Sequence, residues 1–379
     1  MKNKQLIKWS GVLLSLTIIL SGCNIEKRSE TIIIPNNSDN DTKGQGSQPF
    51  QVETIYRLPN TVNLLLGWSD KKSVIGVFNE GGSHDKLLNN LQRLTTPYEK
   101  PEMLKRINNN TTNLNMSPDG KFIAQTIMSS NGVSLKLIPV GDGKDIEVVK
   151  FNYSQQIYLQ DVTWSNNNRY LCYLSLSSLK GEPRAVGIYD IVSKSLRTYE
   201  LNELNNEGTL IGVSISDDGK SLLFTMLQTS NYNSIILGTI NSNKINIQYK
   251  HQTGGNSNTW LNNHQFVFLG KDDTLYEYDR RNGEISVLLE KVDIFEFSSD
   301  RKKIVYSLNN QNDIYVGKLQ GKNILYQDPI YRGIIPSEIY WSPDSQCLLL
   351  RGTKMYSQVQ NPQSQIIQPE DQGLIIVFK

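Results

Sequence analysis

The sequence is poor in the residues that most often carry metal and acid–base chemistry, with three cysteines and three histidines in 379 residues. None of the histidines (His84, His251 and His264) has another His or a Cys at metal-ligand spacing. The pair Asp272-Asp273 lacks the alternating acidic positions of a calcium loop. There is no Gly-Xaa-Ser-Xaa-Gly sequence of the hydrolase type. We therefore predict no metal site, no cofactor and no catalytic residue that the sequence can name.

A charge imbalance and a helical hydrophobic pattern are also missing. The 39 Lys and Arg residues nearly balance the 37 Asp and Glu residues, which gives a net charge of +2 without a clustered basic stretch. This composition argues against nucleic acid as a partner. The repeat region described next has no sustained apolar stripe with a period of 3.6 residues, so helices are not expected there.

The sequence does contain a short phrase that returns seven times: the end of a hydrophobic strand, a polar turn of the Ser-Pro-Asp-Gly-Lys kind, and another hydrophobic strand. The residue at the serine position of each copy is Ser69, Ser117, Ser165, Ser216, Leu261, Ser298 or Ser342. Successive copies are separated by 37 to 51 residues. This spacing is typical of the four-stranded blades of a β-propeller, which repeat every ~40–50 residues.

The residues between the turns predict the other strands of each blade. In the fifth unit, residues 265–269, 274–279 and 284–289 are short apolar runs joined by Asp- and Gly-containing turns. The last unit has only three such runs, and residues 51–58 can supply its missing outer strand. We predict an all-β fold, a seven-bladed β-propeller of four-stranded blades over residues 49–379, closed by this N-terminal strand. Six or eight blades remain possible if one copy is misread.

The turns resemble the TolB-type propeller repeat, which also occurs in the propellers of prolyl oligopeptidase relatives. Two copies, at residues 117–119 and 342–344, keep the Ser-Pro-Asp sequence. The resemblance implies the fold and no particular activity. A tryptophan recurs beside the turn in four copies, and we interpret it as packing between blades. We also expect Cys172 and Cys347, in blades that are not neighbours, to be buried free thiols.

The first residues resemble a bacterial lipoprotein leader. A basic start, an apolar run over residues 11–20 and the sequence Leu20-Ser21-Gly22-Cys23 follow one another. The resemblance implies a signal peptide over residues 1–22 and a diacylglyceryl group on Cys23, which suffices for stable anchoring. The alternative is an ordinary signal peptide with a chance cysteine. With the propeller, this leader also resembles the YqgU-like propeller lipoproteins of Bacillus and its relatives.

Residues 23–48 are polar and are predicted to form a lipidated flexible tether. The chain is then expected on the extracytoplasmic side of the cell membrane, attached through the lipid on Cys23. Its expected partners in that place are an envelope protein or a wall polymer.

Long loops on the face opposite the repeated turns provide a candidate binding face. Its predicted residues are His84, Asp85, Arg184, Lys354 and Tyr356. The alternative is that the propeller tolerates loops of this length although they have no function.

Two functions follow from these observations. The first is a membrane-anchored, non-enzymatic binding or scaffold propeller. The alternative is a propeller enzyme, such as a lyase, a cyclase or a glycan-acting hydrolase, with its site at the central channel. His84 and Asp85 are the only adjacent acid–base pair that supports the alternative.

Overall fold

The structure is a computed structural model that describes residues 31–33, 49–58, 62–78, 90–108, 110–177, 179, 184–204, 207–228, 232–255, 257–354 and 370–379. Within these residues, 29 strands form seven antiparallel sheets arranged as the blades of a propeller. Helical structure in the same ranges is limited to two single 3₁₀ turns, Tyr153–Gln155 and Asn202–Leu204. None of the described helices is long and apolar enough to cross a membrane. The predicted seven-bladed propeller is confirmed.

The first three blades follow two N-terminal strands, β1 (Thr31–Ile33) and β2 (Val52–Arg57). Blade 1 consists of β3 (Val62–Trp68), β4 (Ser73–Phe78), β5 (Asn90–Thr95) and β6 (Pro101–Arg106). Blade 2 consists of β7 (Thr111–Met116), β8 (Phe122–Ser129), β9 (Gly132–Pro139) and β10 (Ile146–Asn152). Blade 3 consists of β11 (Ile157–Trp164), β12 (Tyr170–Ser177), β13 (Ala185–Asp190) and β14 (Ser195–Glu200).

The next three blades have the same order. Blade 4 consists of β15 (Thr209–Ile215), β16 (Ser221–Leu227), β17 (Asn233–Asn241) and β18 (Lys244–Thr253). Blade 5 consists of β19 (Asn258–Asn262), β20 (Gln265–Leu269), β21 (Leu275–Asp279) and β22 (Glu284–Leu289). Blade 6 consists of β23 (Val292–Phe297), β24 (Lys303–Leu308), β25 (Asp313–Gln320) and β26 (Asn323–Arg332).

Blade 7 joins the two ends of the chain. It consists of β27 (Ile334–Trp341), β28 (Cys347–Lys354) and β29 (Glu370–Phe378), followed in the sheet by β2 and then β1. Strand β2 pairs with β29 in antiparallel register, with Ile55 opposite Ile376. The predicted closure by the N-terminal strand is therefore confirmed. Strand β1 lies within the segment assigned to the tether and pairs with the outer edge of β2.

The order of strands in a blade explains their composition. The second strand of blade 3, β12, is buried along nearly its whole length because neighbouring blades cover both of its faces. The outer strand β14 is exposed except at Tyr199. A continuous apolar run therefore marks an inner strand, and a mostly polar strand marks the rim.

The hydrophobic core is divided into seven clusters, one at each seam between neighbouring blades. At the closing seam, Leu349 and Ile375 of blade 7 pack in one cluster with Leu65 and Val74 of blade 1. Both cysteines of the described residues, Cys172 and Cys347, are free and buried in these seams, as expected.

The recurrent tryptophans pack between blades, which confirms their predicted role. All four are buried, and in three of them the indole N–H donates to a backbone carbonyl in the first strand of the preceding blade. The pairs are Trp68 with Tyr340 (3.3 Å), Trp164 with Asn115 (3.3 Å) and Trp341 with Glu296 (3.1 Å).

The serine and aspartate of the repeated turn serve the turn itself. In blade 2 the buried Ser117 hydroxyl donates to Asp119 (2.7 Å) and accepts from the backbone N–H groups of Lys121 (3.1 Å) and Phe122 (3.0 Å). The carboxylate of Asp119 also accepts from the N–H of Lys121 (3.2 Å). Ser117 and Asp119 therefore stabilise the turn in which they lie.

Candidate functional site

The first strands of the blades surround the central channel. They are β3, β7, β11, β15, β19, β23 and β27, and most of them contact the first strands of both neighbouring blades. Each ends in a repeated turn, so all the turns meet at one end of the channel, which we call the turn end. Side chains near this end hydrogen-bond to a carbonyl of the next blade. The pairs are Asn115 with Val162 (2.8 Å), Thr163 with Val213 (2.7 Å) and Tyr340 with Leu65 (3.2 Å).

A cavity of about 340 Å³ lies in the channel at the turn end. We call it the channel cavity. One part of its lining is apolar and comes from blades 1 and 2: Leu64, Leu66, Leu114 and Met116. The other part is polar or amphipathic and comes mainly from blades 5 to 7: Thr259, Glu296, Ser299, Arg301 and Tyr340. Its volume lies in the range of small-molecule sites in proteins.

Gly67 helps to keep this space open. It occupies the last-but-one position of its first strand, where the other blades carry a side chain such as Asn115, Glu296 or Tyr340. A Cβ atom at Gly67 would lie 3.1 Å from the methyl carbon of Met116, and the backbone φ of +125° disfavours any other residue.

Arg301 places a positive charge in the cavity wall. It belongs to the turn after β23 and has a φ of 58°. Its guanidinium makes no hydrogen bond or salt bridge with any described residue, and its Nε is buried without a partner. Desolvation lowers the pKa of this guanidinium, although the charges of Glu296, Asp217 and Asp300 act in the opposite direction. The side chain is therefore a cation without a direct counter-ion.

Glu296 places a carboxyl group in the same wall. Burial raises its pKa to about 7, and the nearby Arg301 charge and the backbone N–H of Phe297 only partly offset this effect. No salt bridge joins the described side chains of Glu296 and Arg301. Desolvation also raises the pKa of Tyr340, with the charges of Glu338 and Glu296 as further causes. The cavity therefore combines an acid that titrates near neutral pH with a cation that stays charged.

Hydrogen bonds join the turns that lie beside Glu296 and Arg301. The side-chain amide of Asn166, in the turn of blade 3, donates to the carbonyl of Trp260 in blade 5 (2.9 Å) and so reaches past blade 4. Asp217, in the turn of blade 4, accepts from the backbone N–H of Asn167 (2.8 Å). These bonds fix the turns that border the cavity.

Two residues of the predicted binding face, Arg184 and Lys354, lie among the described residues. Both Arg184 and Lys354 lie on the face opposite the turns, but blades 3 and 7 are not neighbours. The Arg184 guanidinium donates to the carbonyls of Leu204 (3.3 Å) and Gly208 (2.7 Å), which holds the connection between blades 3 and 4. Lys354 ends β28 and pairs in the sheet with Ile334 and Glu370.

The other predicted site residues, His84, Asp85, Tyr356 and the lipidation residue Cys23, lie outside the described residues. The predicted binding face and the anchor stay predictions. Among the residues that the structure does describe, no group of three or more His, Cys, Asp or Glu side chains is placed to hold a metal ion.

Sequence reasoning did not find Glu296 and Arg301. The sequence contains one weak signal for these two residues: each differs in type from the residues at the equivalent position of the other repeats. Arg301 stands where other copies of the turn have Gly120, Asn168, Gly219 or Ser345, and Glu296 is the one acid at the last-but-one position of a first strand.

Comparison with known proteins identifies the chain as a β-propeller and goes no further. No protein-family model and no curated protein matches the sequence. The solved structures that match include an oligogalacturonate lyase in complex with manganese, with a TM-score of 0.58 and 12% identity over 93% of this chain and 98% of the lyase. A chain of the mitotic checkpoint complex matches with a TM-score of 0.51 and 13% identity, over 92% of this chain and 100% of that one.

A third match, the tricorn protease, has a TM-score of 0.48 and 11% identity, and this chain spans only 30% of its length. In all, 866 chains of solved structures match. A fold shared this widely and at this identity does not define an activity.

Proposed function

We propose that this chain is an extracytoplasmic lipoprotein whose propeller is a non-enzymatic binding module held at the membrane. By this proposal the chain is one of the TolB-type propellers and, more narrowly, one of the YqgU-like propeller lipoproteins. The lipid on Cys23 anchors it, and the propeller binds an envelope protein or a wall component.

The observation that carries the binding role is the channel cavity. Arg301 is a cation in the cavity wall whose Nε is buried without a hydrogen-bond partner, and an unpaired charge held away from water costs more free energy than a paired one. The surrounding ring is rigid, because seven seam clusters and side-chain hydrogen bonds hold the first strands together. A rigid scaffold with an unsatisfied charged group at a cavity is suited to recognition.

The support for the anchor is the leader sequence. Its apolar run is too short to span a bilayer and ends in Leu20-Ser21-Gly22-Cys23. A diacylated cysteine would raise the concentration of the propeller near envelope partners without any further contact.

In-cell cross-linking followed by affinity capture from intact membranes tests this function, with wild type compared with Cys23→Ala. We expect the wild type to fractionate with membranes and to capture a defined envelope protein or wall polymer, and the variant to lose both properties. A Cys23→Ala protein that stays in the membrane fraction and captures the same partner would overturn the anchor. Recovery of the wild-type protein without any partner would overturn the proposed binding role.

A second function is favoured by one observation. Glu296 has a pKa near 7 and shares a cavity with Arg301, which is a combination that serves proton abstraction with stabilisation of the negative charge that develops. A lyase is one enzyme class that uses this combination. Turnover of uronate-containing oligosaccharides by the wild type, lost in Glu296→Gln, would favour this function over the binding module.

A further inference from the structure

The charges of the channel cavity narrow the chemistry of its ligand. Arg301 has no hydrogen bond or ion pair among the described residues, and Arg is always protonated in proteins. Its natural counterpart is a carboxylate or another planar anion that accepts two parallel hydrogen bonds. The ligand therefore needs an anionic group.

Glu296 sets a second requirement. Its carboxyl group lines the same cavity, and no salt bridge joins it to Arg301. Once Glu296 is ionised, at a pH above its pKa of about 7, an anion that carried no other charge would pair with Arg301 but would lie near this carboxylate, and like charges in a partly desolvated site repel. A ligand that also carries an ammonium group satisfies both side chains at once.

The rest of the lining sets a third requirement. Leu66, Leu114 and Met116 form an aliphatic wall, and Gly67 leaves the space beside Met116 without a side chain. Such a wall binds an alkyl group, because moving apolar surface out of water is favourable by about 25 cal/mol per Å².

We propose that the channel cavity binds a small aliphatic zwitterion, an amino acid or a short peptide, with its carboxylate on Arg301, its ammonium on Glu296 and its alkyl group against Leu66, Leu114 and Met116. This inference deepens the proposed binding function and depends on it.

The charge state of Glu296 makes binding depend on pH. The charges of Glu296 and Arg301 act on each other. The other charged or titratable groups are Asp217 and Asp300, which act on Arg301, and Tyr340, which interacts with Glu296. An ammonium group binds the ionised carboxylate, so affinity rises as pH increases from 5 to 7.5 and Glu296 loses its proton.

Isothermal titration calorimetry of the full chain in detergent tests the proposal with four probes. Leucine and leucylleucine are zwitterions, whereas leucinamide lacks the anionic group and 4-methylpentanoate lacks the cationic one. We expect at least one zwitterion to bind, and both single-charge analogues to bind at least about tenfold more weakly.

Three variants locate the site. Arg301→Asn keeps the turn, because Asn168 takes a φ of 64° at the same position of blade 3. We expect Arg301→Asn and Glu296→Gln each to weaken zwitterion binding at least about tenfold, and Glu296→Gln to abolish its pH dependence. The matched control is Lys302→Asn, an exposed residue in the same turn. Thermal unfolding of each variant verifies that it is folded.

The proposal is overturned if neither zwitterion binds the wild type, if the single-charge analogues bind equally well, or if Arg301→Asn and Glu296→Gln bind like the wild type. If both zwitterions fail while membrane capture succeeds, the binding module stands and only the ligand assignment falls.

Discussion

At the scale of single residues, Arg301 occupies a backbone position with a φ of 58° that blades 2 and 4 fill with Gly120 and Gly219. Glycine suits such a position because it has no Cβ atom. The motif correctly predicted a turn here. It did not predict the charged cavity, because the place of a long side chain in a turn depends on how seven blades close around the channel.

The pKa of Glu296 leads to a prediction about stability. Its pKa is raised from 4.5 to about 7 on folding, so the folded state binds the proton more tightly than the unfolded chain. Wild-type stability relative to Glu296→Gln should therefore fall by about 1–3 kcal/mol as pH rises from 4.5 to 8. Urea unfolding of both proteins across this range measures the difference.

Glu147→Gln, at an exposed position of β10, is the control and should follow the wild-type pH profile. Parallel profiles of the wild type and Glu296→Gln would show that Glu296 titrates in the folded protein as it does in the unfolded chain.

At the scale of elements, the repeated turn gives a prediction about its serine. The fully buried Ser342 hydroxyl accepts from the backbone N–H groups of Gln346 (3.1 Å) and Cys347 (2.8 Å). Ser342→Ala leaves a buried donor without its partner and should lower the free energy of unfolding by about 1–3 kcal/mol.

The blade 1 copy supplies the matched control for this turn. The Ser69 hydroxyl only donates, at 3.3 Å to the carbonyl of Ser73 and at 3.5 Å to Asp70. Ser69→Ala should therefore cost less than about 1 kcal/mol. Equal losses in denaturant unfolding for Ser69→Ala and Ser342→Ala would contradict this account of the turn.

The strands show what local sequence can and cannot predict. The alternation of apolar residues and turns predicted the blades, because each blade forms its own hairpins. Strand β1 was not predicted as a strand, because three apolar residues in a polar segment are too short a pattern. It pairs only because β2 leaves an open edge beside it.

At the scale of the whole molecule, ring closure depends on β2. Ile55 is buried in the seam between blades 6 and 7 and lies opposite Ile376, whereas Glu53 on the same strand is exposed. Ile55→Ala should lower the free energy of unfolding by about 2–5 kcal/mol. Glu53→Ala should change it by no more than about 0.5 kcal/mol, as measured by urea unfolding. A similar small effect of both substitutions would mean that β2 does not close the ring.

The seven-bladed ring was predictable, apart from strand β1, because one repeat that occurs seven times specifies it. The cavity was not, because its lining comes from blades that are distant in the sequence, such as Leu66, Leu114 and Glu296. Function is harder to predict from the sequence than the cavity is, since a similar fold occurs in a lyase and in a chain of the mitotic checkpoint complex.

The most direct measurement of binding at the turn end of the channel is mass spectrometry of the small molecules that co-purify with the full chain from the cells that produce it. Wild type and Arg301→Asn would be compared. We predict an amino acid or short peptide that is enriched with the wild type and lost from the variant. The same small-molecule content in both proteins would contradict a binding role for the channel cavity.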